Sequence, residues 1–61
     1  MNSPIKAARE AAGLTVRELA AAAKINKNTL CAIETGKTIP RVDTLRRIAG
    51  VLGKTLDELW P

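Results

Sequence analysis

The sequence contains no histidine, tyrosine or phenylalanine, and it has one cysteine and one tryptophan. Catalytic and zinc-binding sites usually need histidine or several cysteines as bases, nucleophiles or ligands. Cys31 has no evident base to activate it and no second cysteine with which to form a disulfide. We therefore expect no enzymatic activity, no catalytic residue and no metal site.

Long apolar runs are also absent, since no stretch approaches the ~20 residues that cross a bilayer. The N-terminus shows no signal-peptide pattern, so we expect a cytoplasmic protein without a membrane partner. The glycines at 13, 36, 50 and 53 fall at the ends of predicted helices or inside one, which is not the pattern of a phosphate-binding loop. No cofactor and no small-molecule ligand are indicated. At 61 residues the chain has room for one domain, 1–61, with one aliphatic core.

Basic residues outnumber acidic ones by ten to six, which gives a formal net charge of +4. An excess of this size also occurs in proteins without a polyanionic partner, so its distribution is more informative. Between residues 24 and 41 four basic side chains accompany a single acid, Glu34. The net charge of this segment is therefore +3, from four basic residues less one acid.

Two short helices joined by a three-residue turn are predicted between Thr15 and Gly36. Thr15 and Glu18 have the spacing of a capping box, in which side chain and backbone satisfy each other at a helix start. Asn26 is a good N-cap for the second of these helices, which should run from 27 to 35. Such a pair of helices can present one member to the major groove of DNA while the other braces it.

Helix signals before and after this pair bring the predicted total to five. The first helix should run from Pro4 to Ala12, the fourth from Val42 to Leu52 and the fifth from Leu56 to Trp60, after a second capping box at Thr55. Gly50 lies inside the fourth helix, where glycine lowers helix stability. Either another segment of backbone approaches closely at this position, or the protein tolerates the loss. The spacing of apolar residues predicts an all-α fold with this core: Ile5, Ala8, Leu14, Leu19, Ala20, Ile25, Leu30, Ile33, Leu45, Ile48, Leu52, Leu56 and Leu59.

The ordered set of these features resembles the lambda-repressor-like helix-turn-helix family, also called the XRE or Cro/CI type. The residues that carry the resemblance are Gly13-Leu14-Thr15, Glu18-Leu19-Ala20, Ile25, Asn26, Thr29, Leu30, Ile33-Glu34, Gly36-Lys37, Pro40, Thr44-Leu45, Leu52-Gly53, Leu56 and Leu59. The resemblance implies a compact five-helix domain in which helices 2 and 3 form the helix-turn-helix. It also implies a homodimer that binds a near-palindromic operator in double-stranded DNA and regulates transcription as a repressor.

The resemblance places base contacts at the start of the third helix, on Lys27, Asn28 and Ala32. Lysine can donate to guanine, an asparagine amide can pair with adenine, and an alanine methyl can contact the thymine methyl. Cys31 should lie on the same exposed side. An alternative for each of these residues is a solvated position on a helix surface without any contact.

Contacts to the DNA backbone are implied for the segment that follows the third helix. We expect the loop after Gly36 to present backbone N–H groups, with Lys37 and Thr38 beside them, and Arg41 to reach a phosphate or the minor groove. Arg41 is also a poor N-cap for the fourth helix, and a local rule broken at a basic residue suggests a function. Thr29 either contacts a phosphate or serves only the helix start.

Two positions depart from the family pattern, and a pair of charges agrees with it. Val16 stands where the family often has a glutamine that contacts phosphate or base, and it has no such group. Lys24 stands where the turn between the two helices usually has glycine, so a left-handed conformation there would be strained. Arg9 and Glu34 match an ion pair that many members bury, although by themselves they also look like surface charges.

The dimer contact implied by the resemblance would involve the last helix, with Leu59 and Trp60, and the loop before the fourth helix. Trp60 has an alternative place in its own core. An alternative function for the whole chain is an antitoxin or adaptor that uses the same fold to bind a protein.

Overall fold

The computed structural model describes residues 3–61, and it confirms an all-helical fold without strands in this range. The helices are α1 (Pro4–Ala11), α2 (Val16–Ala23), α3 (Lys27–Glu34), α4 (Val42–Leu52) and α5 (Leu56–Leu59). α4 has its predicted bounds, whereas α1, α3 and α5 each end one residue earlier than predicted. Helix ends commonly differ by one or two residues because the last turn frays.

Side chains fix the start of four of these helices. The hydroxyl of Ser3 accepts from the N–H of Ile5 at 3.1 Å, and the side-chain Oδ1 of Asn26 accepts from the N–H of Asn28 at 2.7 Å. Capping boxes open α2, between Thr15 and Glu18, and α5, where Glu58 is the acidic partner. In each box the backbone N–H of the threonine donates to the glutamate carboxylate, and this hydrogen bond lowers the pKa of Glu18 and of Glu58. Each group stabilises the fold above its ordinary pKa, and this contribution is lost as the pH falls through the lowered value.

The core is aliphatic, as predicted. Its fully or almost fully buried members are Ile5, Leu19, Ala20, Ala23, Leu30, Ile33, Leu45, Ile48, Ala49 and Leu59. The predicted members that pack only partly against it are Ala8, Leu14, Ile25, Leu52 and Leu56. Two core residues, Ala23 and Ala49, were not on the predicted list. Val42 shares the apolar spacing of α4 but is 60% exposed.

α2 occupies the centre of the helix packing, in contact with both α3 and α4, while α5 packs against α1 and α4. The small side chains of Ala20 and Ala23 are buried on α2, and small residues let helix axes approach closely. α3 therefore has one face held by α2, while its first turn is exposed. This arrangement is what positions the candidate site.

Gly50 offers no close contact that would require a glycine. A Cβ built at this position meets nothing within 4 Å, so of the two alternatives the structure supports a tolerated glycine and not a close backbone approach. Lys24, in contrast, has φ 58° and ψ 45° at the end of α2. Within residues 3–61 it is the one residue other than glycine that has a positive φ.

We predict that Lys24→Gly stabilises the protein by about 1 kcal/mol, because the left-handed conformation costs an L-residue about 1–2 kcal/mol and the greater freedom of glycine in the unfolded chain offsets part of the gain. For a domain of this size the melting temperature should rise by roughly 4–8 °C. Thermal unfolding followed by circular dichroism measures the change. Lys54→Gly, also next to a helix end, is the control that should show no rise, and a lower melting temperature for Lys24→Gly would contradict the strain.

Candidate nucleic-acid interface

The first turn of α3 lies at the surface of the protein. Lys27, Asn28 and Thr29 are exposed, whereas Leu30 and Ile33 are buried against the core. At helical spacing the buried side chains define the inner face of α3, and Asn28 points to the opposite side. The helix therefore holds its inner face in the core and offers its first turn to solvent.

The second turn of α3 is less open than its first. Cys31 and Ala32 are both only partly exposed. Ala32 lies one turn after Asn28 and extends the outward face, while Cys31 lies one turn after Lys27 on one side of it. The predicted base-reading residues thus share one continuous surface, and Cys31 stands at the edge of that surface.

The dimensions of α3 suit the major groove. Its eight residues span about 12 Å at 1.5 Å per residue, and a helix with side chains is about 10–12 Å wide. The major groove of B-DNA is about 12 Å wide. Asn26 fixes the start of the helix through its bond to the Asn28 N–H. The cap at Asn26 leaves Thr29 without a cap role, and its side chain is exposed.

The backbone N–H groups after α3 do not fully match the prediction. The N–H of Gly36 donates to the carbonyl of Ile33 at 3.2 Å, and that of Lys37 donates to Ala32 at 2.8 Å. These bonds close the end of α3, and Gly36 allows them because it has φ 78°. Both groups are used inside the protein, so the expectation that the loop after Gly36 presents free backbone N–H groups is wrong for Lys37. The exposed side chains of Lys37 and Thr38 remain available.

Arg41 occupies the N-cap of α4 with extended backbone angles, and its side chain makes no capping hydrogen bond. The guanidinium is exposed. The local rule for helix starts is therefore broken here without a compensating contact in the described part of the chain. This leaves the side chain of Arg41 free for an external ligand.

The segment from 27 to 41 presents three exposed cations, on Lys27, Lys37 and Arg41. Its one acid, Glu34, is 7% exposed and paired with Arg9. The Glu34 charge is thereby neutralised within the protein. The exposed charges of this segment are therefore all positive, as an electrostatic footprint for a polyanion requires.

Arg9 and Glu34 form a two-pronged ion pair between α1 and the end of α3. Arg9 Nε lies 2.9 Å from Glu34 Oε2, and Nη2 lies 3.2 Å from Oε1. Arg9 Nη1 also donates to the carbonyl of Leu14 at 2.8 Å. The hydrogen bonds to Glu34 raise the pKa of Arg9. One guanidinium therefore ties together α1, the loop before α2 and the last residue of α3.

The residues named for a dimer contact differ in their exposure. Leu59 is 1% exposed and is a core residue, so it is not part of a free surface. Trp60 packs partly against the core and partly lines a shallow cleft with Ser3 and Gly36. Two apolar residues near this place lie at the surface: Ile39 in the loop before α4, and Val42, the first residue of α4. They are 77% and 60% exposed.

No group of three or more acidic, cysteine or histidine side chains that could hold a metal ion occurs within residues 3–61. In the same range no helix has both the length and the apolar character that crossing a membrane demands.

A protein-family model described as "Helix-turn-helix" matches residues 5–59 of the chain. The match contains α2 and α3 as well as the ion pair and all the candidate contact residues before residue 60. Comparison with curated proteins and with solved structures found no significant match.

Proposed function

The chain belongs to the XRE-type, lambda-repressor-like helix-turn-helix family of DNA-binding regulators, and from this premise we propose that it is a sequence-specific transcriptional repressor. In this proposal α3 enters the major groove of the DNA, and the chain acts as a homodimer. The protein would work in the cell compartment that contains the DNA. The observation that carries the proposal is the exposed, basic surface formed by the start of α3 and the loop that follows it.

Three side chains of α3 would read the base pairs. Lys27 can donate to the O6 and N7 of a guanine, and Asn28 can form two hydrogen bonds with an adenine. Ala32 can contact the methyl group of a thymine in the next part of the site. Cys31, at the edge of this surface, would lie beside the groove wall rather than over the base pairs.

Affinity would come mainly from phosphates on either side of the groove. The side chains proposed for this role are those of Thr29, Lys37, Thr38 and Arg41. Their contribution does not depend on the sequence of the DNA, but it fixes the position of α3 so that Lys27 and Asn28 meet a defined pair of bases.

Dimerisation is supported by the two exposed apolar residues at the end of this surface. The α3 helices of two copies should lie about 34–36 Å apart, so each lies about 17 Å from the two-fold axis. The protein measures 23 × 23 × 22 Å, and two copies can therefore meet directly at that axis. Ile39 and Val42, beyond the end of α3, would provide the contact with the second copy. Trp60 would extend it.

An antitoxin or adaptor that binds a protein through the same fold is the alternative. In that case exposed residues such as Asn28 and Ile39 would contact a protein partner. The two functions differ in their response to salt, because neutralised phosphates release counterions whereas an apolar interface does not.

We predict that the protein selects a two-fold symmetric motif from random duplex DNA at moderate salt. The logarithm of the association constant should fall linearly with the logarithm of salt concentration, with a slope of about −0.9 per phosphate contact. Fluorescence anisotropy on the selected duplex and on a scrambled duplex measures both affinity and preference. Equal binding to both duplexes and to heparin would contradict the proposed function, and a motif without symmetry would contradict the dimer.

A further inference from the structure

A cleft on one side of α3 brings α1 into contact range of the proposed DNA surface. Its lining includes Lys6 on α1, Val16 at the start of α2, and Cys31 and Thr35 at the other wall. The cleft has a volume of about 380 Å³, enough for a phosphodiester group. Lys6 lies outside the helix-turn-helix, and nothing in its sequence neighbourhood marks it as a contact.

The position of the cleft follows from the geometry of α3. Cys31 and Glu34 are three residues apart and so share one side of α3, which is the side that faces α1, since Glu34 is paired with Arg9. When a helix about as wide as the groove lies in it, its sides face the walls, and the walls are the phosphate backbones. Residues across the cleft from Cys31 and Thr35 therefore face one backbone. These residues are Lys6 and Val16.

The charge balance of the cleft favours an anion. Arg9 and Glu34, which also line it, neutralise each other. Lys6 is half-buried, and no carboxylate lies within salt-bridge distance of it in the described part of the chain. Its aliphatic stem can follow the cleft while the ammonium stays in solvent. Val16 provides no polar side chain at the place where the family often has a glutamine.

We propose that Lys6 is a contact to the DNA backbone and that it supplies the phosphate anchor which Val16 lacks. The inference rests on the proposed function, because it requires α3 to lie in the major groove. It extends the interface from the helix-turn-helix to α1. The contact is sequence-independent, so it changes affinity without changing which bases are preferred.

Lys6→Gln tests this contact, with Lys54→Gln as the matched control. Lys54 is an exposed lysine that borders a different cleft, formed with Ala7 and Ala11 of α1 and with α5. In Lys6→Gln the salt slope should be smaller by about 0.9 for each protomer, which is about 1.8 for the dimer, and affinity of the dimer at 0.1 M salt should fall roughly sixtyfold on selected and scrambled duplexes alike. Lys6→Arg should restore both values. Lys54→Gln should keep the slope of the unmodified protein.

Methylphosphonate substitution at single positions of the selected duplex locates the contact. At one phosphate beside the major groove, neutralisation should weaken the unmodified protein about eightfold at 0.1 M salt and leave Lys6→Gln unaffected. If Lys6→Gln matches Lys54→Gln while the unmodified protein shows preference and a steep salt slope, the Lys6 contact is wrong and the proposed function stands. If the unmodified protein shows neither preference nor slope, the proposed function itself fails.

Discussion

Arg9→Met or Glu34→Leu should destabilise the protein by about 3–5 kcal/mol, because each change leaves the other charge buried without its partner. The two residues are 8% and 7% exposed, and two hydrogen bonds join them. A loss of this size is a large part of the 5–15 kcal/mol that stabilises a typical small domain. Urea unfolding followed by circular dichroism measures it.

The double variant Arg9→Met/Glu34→Leu should lose less stability than either single variant. Both charges are then gone, and similar volumes of apolar side chain remain between α1 and α3. It should still be less stable than the unmodified protein by about 1 kcal/mol, since the Leu14 carbonyl loses the hydrogen bond from Arg9. If a single variant has no folded baseline, recovery of helical signal in the double variant is the readout.

Surface substitutions of the same types separate this effect from a general loss of charge. Arg46 and Glu10 are exposed, and Arg46→Met and Glu10→Leu should each change the free energy of unfolding by no more than about 0.5 kcal/mol. Additive effects of Arg9→Met and Glu34→Leu in the double variant would show that the two side chains are not coupled.

The helices could be predicted because residues close in sequence mark where each helix begins. Thr15 with Glu18, Asn26, and Thr55 with Glu58 are signals within four residues of the helix start that they mark. Each of them makes the predicted hydrogen bonds. The bounds of α4 and the start of every helix therefore followed from short-range chemistry, before any tertiary contact was known.

The burial of individual residues was harder to predict, since it depends on neighbours distant in sequence. Ala23 lies in a run of four alanines, from 20 to 23, in which no polar residue marks the outer face of the helix. Ala20 and Ala23 are the two that are buried, and only the first was predicted. Val42 has the spacing of the core residues of α4, but it begins the helix and stays exposed. Leu59 fitted both the core and a dimer surface, and the structure places it in the core.

The candidate site also has some features that could be predicted from the sequence and others that could not. Exposure of Lys27 and Asn28 follows from the cap at Asn26 and the apolar face of α3, both of which are visible in sequence. The internal use of the Lys37 N–H depends on how α3 ends, and the cleft at Lys6 requires three helices to meet. Features built from several elements are the ones that the linear pattern does not contain.

Reversing two charges on the proposed DNA surface should abolish binding and leave the fold intact. Lys27→Glu/Lys37→Glu removes two cations that would lie near phosphate or base edges and puts repulsion in their place. Affinity for the selected duplex should fall by about a hundredfold or more at 0.1 M salt. Both side chains are exposed, so the melting temperature should change little.

Net charge alone could weaken binding to a polyanion, and a second variant separates this effect from a local one. Arg47→Glu/Lys54→Glu also takes the formal charge from +4 to zero, at exposed positions outside residues 27–41. It should bind far more tightly than the first variant, because screening confines the effect of distant charges to about 10 Å at 0.1 M salt. Equal losses in the two variants would mean that α3 and its loop have no special place in binding. Retained binding of a protein partner by Lys27→Glu/Lys37→Glu, together with weak duplex binding by the unmodified chain, would favour the adaptor function.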